Sequence, residues 1–179
     1  NKKGFTLVEI LVSMFIIITL TTLLLVNYHS TNSRAALITA AQKLASDIRL
    51  AQEYSLGSKE FNGQVPFGGW GVYFNISSPD SYIIFADQNA PLGNRGYDTG
   101  EQFKIINLSQ GITIDSLTVF DSAYHSVNPL PIVFFPPDPT TYINSDGIYI
   151  NAKITLKERT GNTTKTIEIN SLGLVDVAD

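Results

Sequence analysis

The chain has 179 residues and a mass of 19.6 kDa, room for one domain of ordinary size with an appendage and too little for a large multidomain enzyme. Apolar residues make up 44% and charged residues 16%, which excludes intrinsic disorder, and 12 Lys and Arg against 16 Asp and Glu leave no basic surplus for a phosphate backbone. With no cysteine present, disulfide scaffolds, thiolate catalysis and Cys-containing zinc sites are excluded too.

Charge is distributed unevenly. Lys2, Lys3 and Glu9 crowd the start, and no further Asp, Glu, Lys or Arg appears before Arg34. Between them Ile10 to Val26 is apolar except for Ser13, Thr19, Thr21 and Thr22, hydroxyls able to bond back to their own helix. With Phe5, Leu7 and Val8 the run reaches about 30 Å, the hydrocarbon thickness of a bilayer. It reads as a single membrane span. Cations directly before it and none after it until Arg34 place the amino end in the cytoplasm and the rest of the chain outside. A cleaved secretory signal would start similarly, but Asn27 to Arg34 holds no A-x-A site. Glu9 sits at the mouth of the span, where an unpaired charge entering the membrane costs on the order of 2 to 3 kcal/mol. It reads either as a functional acid or as a group in the headgroup layer.

Lys2-Lys3-Gly4-Phe5-Thr6-Leu7-Val8-Glu9, followed directly by the apolar run, resembles the class III leader junction of type IV pilins and type II secretion pseudopilins. The resemblance implies that a prepilin peptidase cuts between Gly4 and Phe5, that Asn1 to Gly4 are lost, and that Phe5 becomes an N-methylated terminus. It also implies that Glu9 pairs with the terminal amine of a neighbouring subunit during assembly. Such a pair is favourable only with both members present. The implied partners are the peptidase, other pilins or pseudopilins, and the inner-membrane assembly platform.

From Ala35 to Leu56 the chain has no Gly or Pro and places Leu37, Ala41, Leu44, Ile48, Ala51 and Ser55 on one helical stripe. Lys43, Asp47, Arg49 and Glu53 occupy the other side, with Lys43–Asp47 and Arg49–Glu53 expected as pairs four apart. Gly57 is the expected stop. A helix continuous from Thr6 to Leu56 would be about 75 Å long, with Asn27 to Ser33 its weak point and the place for a bend. Pilins often carry a helix-bending Pro in the apolar half; this chain has none before Pro66.

After Gly57 the pattern turns to strands. Trp70 to Ile76, Ser81 to Ala86, Phe103 to Leu108, Ile112 to Phe120, Ile132 to Phe135, Ile148 to Leu156 and Thr164 to Ile169 are expected, with a last short run from Leu174 to Val177. The expected fold is α+β: a long N-terminal helix on an antiparallel sheet or sandwich. Residues 1–4 are the leader, 5–33 the transmembrane and assembly helix, 34–57 an amphipathic helix and 58–179 a β-rich head. The order of helix, GWGVYF segment, hairpins and closing Thr166-Ile167-Glu168-Ile169 then Leu172-Gly173 is similar to GspH/FimT-like minor pseudopilins.

The loop from Asp87 to Glu101 has an oxygen supply that suits Ca2+, with Asp87, Asn89, Asp98 and Glu101 as candidate ligands. EF-hand spacing fails, because Pro91 holds the fifth ligand place and Asp98 the twelfth. The preferred reading is a solvated turn whose side chains bond their own backbone, with no metal or other cofactor. His29 is expected at the membrane exit, and His125 in a loop without an acid at motif spacing. Nucleophile-elbow, P-loop and dinucleotide motifs are absent, so no enzyme is expected. Trp70, Tyr73, Phe74, Phe134 and Phe135 read as core and turn rather than a ligand platform, and Pro136, Pro137 and Pro139 as a stiff exposed loop. The expected function is a structural filament subunit anchored in the bacterial inner membrane with its head outside. The alternatives are a DNA-uptake pilin, which would need a basic patch where the tail Leu174 to Asp179 is acidic, and a membrane-tethered extracytoplasmic enzyme.

Overall fold

A computed structural model of the chain describes residues 4–136, 140–145, 147, 149–159 and 161–178, and for residues 25–33 the backbone alone. The leader residues 1–3, Pro137, Pro139, Ile148 and the side chain of His29 lie outside the described residues. The chain divides into two units, Asn1–Ala35 and Ala36–Asp179. One helix, α1 (Leu7–Leu56), contributes to both.

In the first unit the helix is apolar on every side and every described side chain is exposed. The four hydroxyls of the apolar run bond back to the preceding turn: Ser13 Oγ to Glu9 O at 2.7 Å, Thr19 Oγ1 to Phe15 O at 2.8 Å, Thr21 Oγ1 to Ile17 O at 2.7 Å and Thr22 Oγ1 to Ile18 O at 2.8 Å. No hydroxyl of the run is left facing an apolar medium without a partner. Helical backbone continues through residues 27–33, the segment that the sequence marks as weak.

In the second unit the stripe expected from the sequence is the buried face. Leu37, Ala41, Leu44, Ile48 and Ala51 are fully buried, and Ser55 nearly so. The opposite side departs from expectation in two places. Asp47 is buried, because Tyr82 reaches it from the sheet with an O–H bond of 2.6 Å to Oδ2, while Lys43 Nζ holds its two oxygens at 2.7 and 2.9 Å. Burial, together with the Asp47 carboxylate, pushes the Tyr82 phenol well above its ordinary range. Arg49 does not meet Glu53; its Nη2 donates to Val175 O at 2.7 Å. The helix stops at Leu56 as expected, with Gly57 N–H on Glu53 O at 2.8 Å, but the left-handed residue is Ser58, φ 48°, one place beyond the glycine.

Among the described residues ten strands follow: β1 (Gly69–Phe74), β2 (Ser81–Asp87), β3 (Gln102–Asn107), β4 (Ile112–Phe120), β5 (Tyr124–Ser126), β6 (Leu130–Phe135), β7 (Thr140–Ile143), β8 (Asn151–Glu158), β9 (Thr164–Asn170) and β10 (Val175–Ala178). They form two antiparallel five-stranded sheets, in the orders β3-β2-β1-β6-β7 and β10-β9-β8-β4-β5. One apolar cluster joins the helix stripe to Trp70, Val72, Ile84 and Ile132 of the first sheet and Leu117, Ile154, Leu156 and Ile167 of the second. Along β8 and β9 burial alternates, with Ala152, Ile154 and Leu156 and then Ile167 and Ile169 pointing inward.

The sequence misses β5 and β7. The first is three exposed residues on an edge, and the second is four residues beginning Thr-Thr, too short for a period to declare itself. β8 starts at Asn151 rather than residue 148, because its last ladder pair is Phe120–Asn151 and β4 ends there. β1 ends at Phe74 because Asn75 Oδ1 accepts the Ser77 N–H at 2.8 Å, a side-chain turn that competes with the ladder. Trp70, Phe74 and Phe134 are core, as expected. In the crowded floor of the first sheet, Gly69 has φ +86°, and a Cβ there would lie 2.1 Å from Phe134 O. The Ser55 hydroxyl donates to that same carbonyl, tying helix to sheet.

Candidate functional site

Gly4, Phe5 and Thr6 are exposed and lead into the helix, which begins at Leu7. Thr6 and Glu9 close this start reciprocally. Glu9 N–H donates to Thr6 Oγ1 at 3.3 Å, and Thr6 N–H reaches Glu9 Oε2 at 3.5 Å. The T-x-x-E spacing is that of a capping box, which satisfies two of the amide donors that a helix start leaves open. A carboxylate in the first turn is also favoured by the helix dipole. This role of Glu9 was readable in the sequence as Thr6 three places before Glu9, ahead of an apolar run. Gly4 stands in open space: a Cβ there would touch nothing within 4 Å, and its φ is not in the left-handed region. Nothing in the folded chain requires a glycine at this position.

Beyond the cap, Leu7–Leu24 is a stretch of 18 residues with mean hydropathy 2.4 and none of it buried. At about 1.5 Å per residue it is about 27 Å long, enough to cross the hydrocarbon layer with little tilt. Phe5 is 80% exposed and Phe15 69%. An apolar surface of this extent has no place in water.

The loop between β2 and β3 holds the four candidate calcium ligands. Asp87, fully buried at the end of β2, accepts N–H bonds from Asn89 and Asn94 on Oδ1, both at 3.3 Å, and from Arg95 on Oδ2 at 2.8 Å. Glu101, also buried, accepts from Gln88 N on Oε1 and Asp98 N on Oε2, both at 2.9 Å. Asp98 Oδ2 takes the Asn89 and Asn94 amides at 2.7 and 2.6 Å. The structure thus brings the four residues into one network, but donors already point at the oxygens that a cation would need. This set does not fit Ca2+, and among the described residues no group of three or more His, Asp or Glu is arranged to hold a metal. The turn reading, with side chains bonding their own backbone, describes the loop.

Burial pushes the Glu101 carboxyl above its ordinary value of 4.5; the Asp98 and Gln88 amide bonds pull the other way, and the Asp87 and Asp98 charges add to the rise. The native chain therefore keeps this proton to a higher pH than the unfolded chain does. Its contribution to stability falls as pH rises through the interval from 4.5 to the raised value. The melting temperature of the chain minus that of Glu101→Gln is expected to decline across that interval. A rise would show the amide bonds, not burial, in control.

His125 is not in a loop. It lies on β5, and its Nε2 is 3.1 Å from Asp121 Oδ1, an acid four residues earlier. The Ser122 and Ala123 N–H groups, with His125, hold Asp121 well below the usual carboxylate range. Both side chains reach solvent, and the Ser122 hydroxyl donates to the same Asp121 oxygen at 3.2 Å rather than to the imidazole. The pair closes the β4–β5 turn.

Residues 1–25 match the family model described as the prokaryotic N-terminal methylation motif. The chain therefore carries an N-terminal methylation motif that leads into an apolar helix long enough to anchor it in a membrane, followed by an α+β head of two antiparallel sheets. A solved structure, the minor pseudopilin EpsH from the type 2 secretion system of Vibrio cholerae, is similar at 10% identity with a TM-score of 0.45, over 79% of this chain and 95% of that one. No curated protein matches the chain in sequence.

Proposed function

We propose that the chain is a structural, non-enzymatic subunit of a type IV pilus-like or type II secretion pseudopilus filament. It enters the inner membrane with its amino end in the cytoplasm. A prepilin peptidase removes what precedes Phe5, and Phe5 is methylated. The subunit waits in the membrane until the assembly platform extracts it into a bundle of such helices with other pilins or pseudopilins. The observation that carries this reading is the methylation motif on residues 1–25 running directly into a helix whose 18-residue apolar stretch is exposed along its whole length. A bilayer covers that surface before assembly, and neighbouring helices cover it after.

Gly4 supports the processing step. The fold makes no use of a glycine there, so the demand for one comes from outside, and a peptidase that needs an unobstructed backbone supplies it. Head-to-tail contacts that do not close on themselves generate filaments, and a long apolar helix is the natural shared surface. The net charge of −4 gives no support to DNA binding.

The test is the mass and amino-terminal sequence of the mature protein from membranes of cells with and without prepilin peptidase. A peptidase-dependent start at Phe5 carrying one added methyl group is the expected result. An uncut start, or one beyond Val26, overturns the reading.

A further inference from the structure

The polar residues of the β2–β3 loop build something other than an ion site. Asp87 and Glu101 gather five backbone N–H groups of the loop. Arg95, at φ 60°, lays its guanidinium 3.8 Å from the centre of the Tyr142 ring on β7. The Tyr97 ring rests against Phe85 of β2 at 5.6 Å and against Tyr73 of β1 at 4.9 Å, tilted by 45°. The loop is thus pinned at its base, at its crown and through an aromatic side chain. Beside it opens a cleft of about 500 Å³, walled by Tyr73, Tyr97 and Asp98, by Asn128 ahead of β6, and by Asn144 and Ser145 after β7.

We infer that this cleft is a binding site for a neutral carbohydrate, a pyranose unit of a longer glycan. Its size falls within the range of about 300–1,000 Å³ typical of small-molecule sites. The chemistry of the wall narrows the ligand. Among the described lining residues there is no Lys, Arg or His, and the acid is Asp98; the nearby Arg95 guanidinium is laid on the Tyr142 ring, so a phosphate, a carboxylate or a nucleic acid would meet a negative charge in the wall and no cation there. An aliphatic ligand would leave the amides and hydroxyls unpaired. A sugar suits both features. Its C–H face lies on the electron-rich face of a tyrosine ring, and its hydroxyls pair with amides, which donate and accept, and with a carboxylate, which accepts.

Those groups are open to a ligand. Asp98 binds the loop amides through Oδ2, and no bond among the described residues takes Oδ1. Asn128 Oδ1 accepts the Ile76 N–H at 2.9 Å, which leaves its NH2 for a ligand. Fixing the loop in advance removes an ordering cost that binding would otherwise meet. The cleft belongs to the head and does not depend on processing or filament assembly.

The test uses the detergent-solubilised full-length chain, titrated with chitotetraose and with maltotetraose and followed by calorimetry. The first stands for N-acetylated wall glycan and the second for an unacetylated glucan. Saturable binding of at least one, with a Kd of about 1 mM or tighter, is expected. Tyr97→Ala should weaken it about tenfold or more. Asn144→Gly, which suits the φ of 59° at that position, should weaken it while leaving the melting temperature unchanged, so the result does not rest on a variant that disturbs the loop. Binding of neither sugar to folded protein, or binding indifferent to both substitutions, overturns the assignment. Binding of pentalysine in place of both sugars would also overturn it, giving the cleft to a cationic peptide.

Discussion

Glu9→Leu is expected to leave the chain cut at Phe5, methylated and inserted, yet absent from filaments. Insertion survives because Leu7–Leu24 supplies the apolar length and the substitution only adds to it. The backbone N–H at position 9 still donates to Thr6 Oγ1, so the first turn loses only the long Thr6 N–H bond to Glu9 Oε2. Assembly is different. Cleavage creates an amine at Phe5 beside apolar side chains, and in a bundle of such helices the proposed partner of that amine is Glu9 of a neighbour. Removing the acid strands a cation where burial costs on the order of 2.5 to 3.5 kcal/mol, about 60- to 300-fold in association per contact. The measurement is the ratio of sheared filament to membrane-pool subunit, with the amino terminus sequenced in both fractions. Glu9→Asp should fall between the two. Filaments from Glu9→Leu at the normal yield would confine Glu9 to its capping role.

On the proposed reading Glu9 has two partners, and processing decides between them. In the uncut chain its carboxylate reaches the Thr6 amide at 3.5 Å, a long and weak bond. After cleavage the terminus lies one residue before Thr6, and the acid can exchange a marginal neutral donor for a charged one. Charge-assisted bonds are roughly twice as strong. On that reading the cap holds the acid before cleavage, and the weakness of the cap leaves the acid available to the charged amine afterwards.

The helix was the most legible part of the molecule, because its signals are local. The 3.6-residue period placed Leu37, Leu44, Ile48 and Ala51 on the buried face, and the hydroxyls of the apolar half could bond only to their own turn. The strands with strong alternation were legible for the same reason. The long-range partners were not. Nothing near Asp47 in the chain announces Tyr82, which lies 35 residues away, and Arg49 ignores Glu53 for a carbonyl 126 residues on. Solvated pairs four apart are worth a few tenths of a kcal/mol, so a buried or charge-assisted bond from the sheet readily displaces or recruits them. The cleft was hidden for a related reason. Tyr73 reads as one more aromatic in a core strand, and only the fold of the 87–101 loop brings Tyr97 to its side.

Asp87→Ala is expected to lower stability by about 3 to 5 kcal/mol, the largest effect of any single change in the loop. The carboxylate is fully buried and ends β2 beneath the loop it organises. Three backbone N–H groups converge on it, and each bond of a buried charge to an amide is worth about 1.5 to 3 kcal/mol. Partial access of water to Asn94 and Arg95 after the change keeps the total below the sum. In a chain of this length that loss is a fall in melting temperature of roughly 10 °C or more. The backbone has been shaped to the same group: Gly93, at φ +78°, approaches so closely that a Cβ there would lie 2.4 Å from Asp87 Oδ2. Gly93→Ala should therefore loosen the loop in the same way, through a clash and a disfavoured backbone rather than a lost acceptor. Asp98→Asn, on the exposed rim, is expected to stay within about 0.5 kcal/mol of the parent. Thermal melts of the three variants, with amide exchange read at Asn94 and Arg95, make the comparison. An Asp87→Ala chain that melts with the parent would mean that the loop is held by Arg95 on Tyr142 and Tyr97 on Phe85, with the buried acid a passenger.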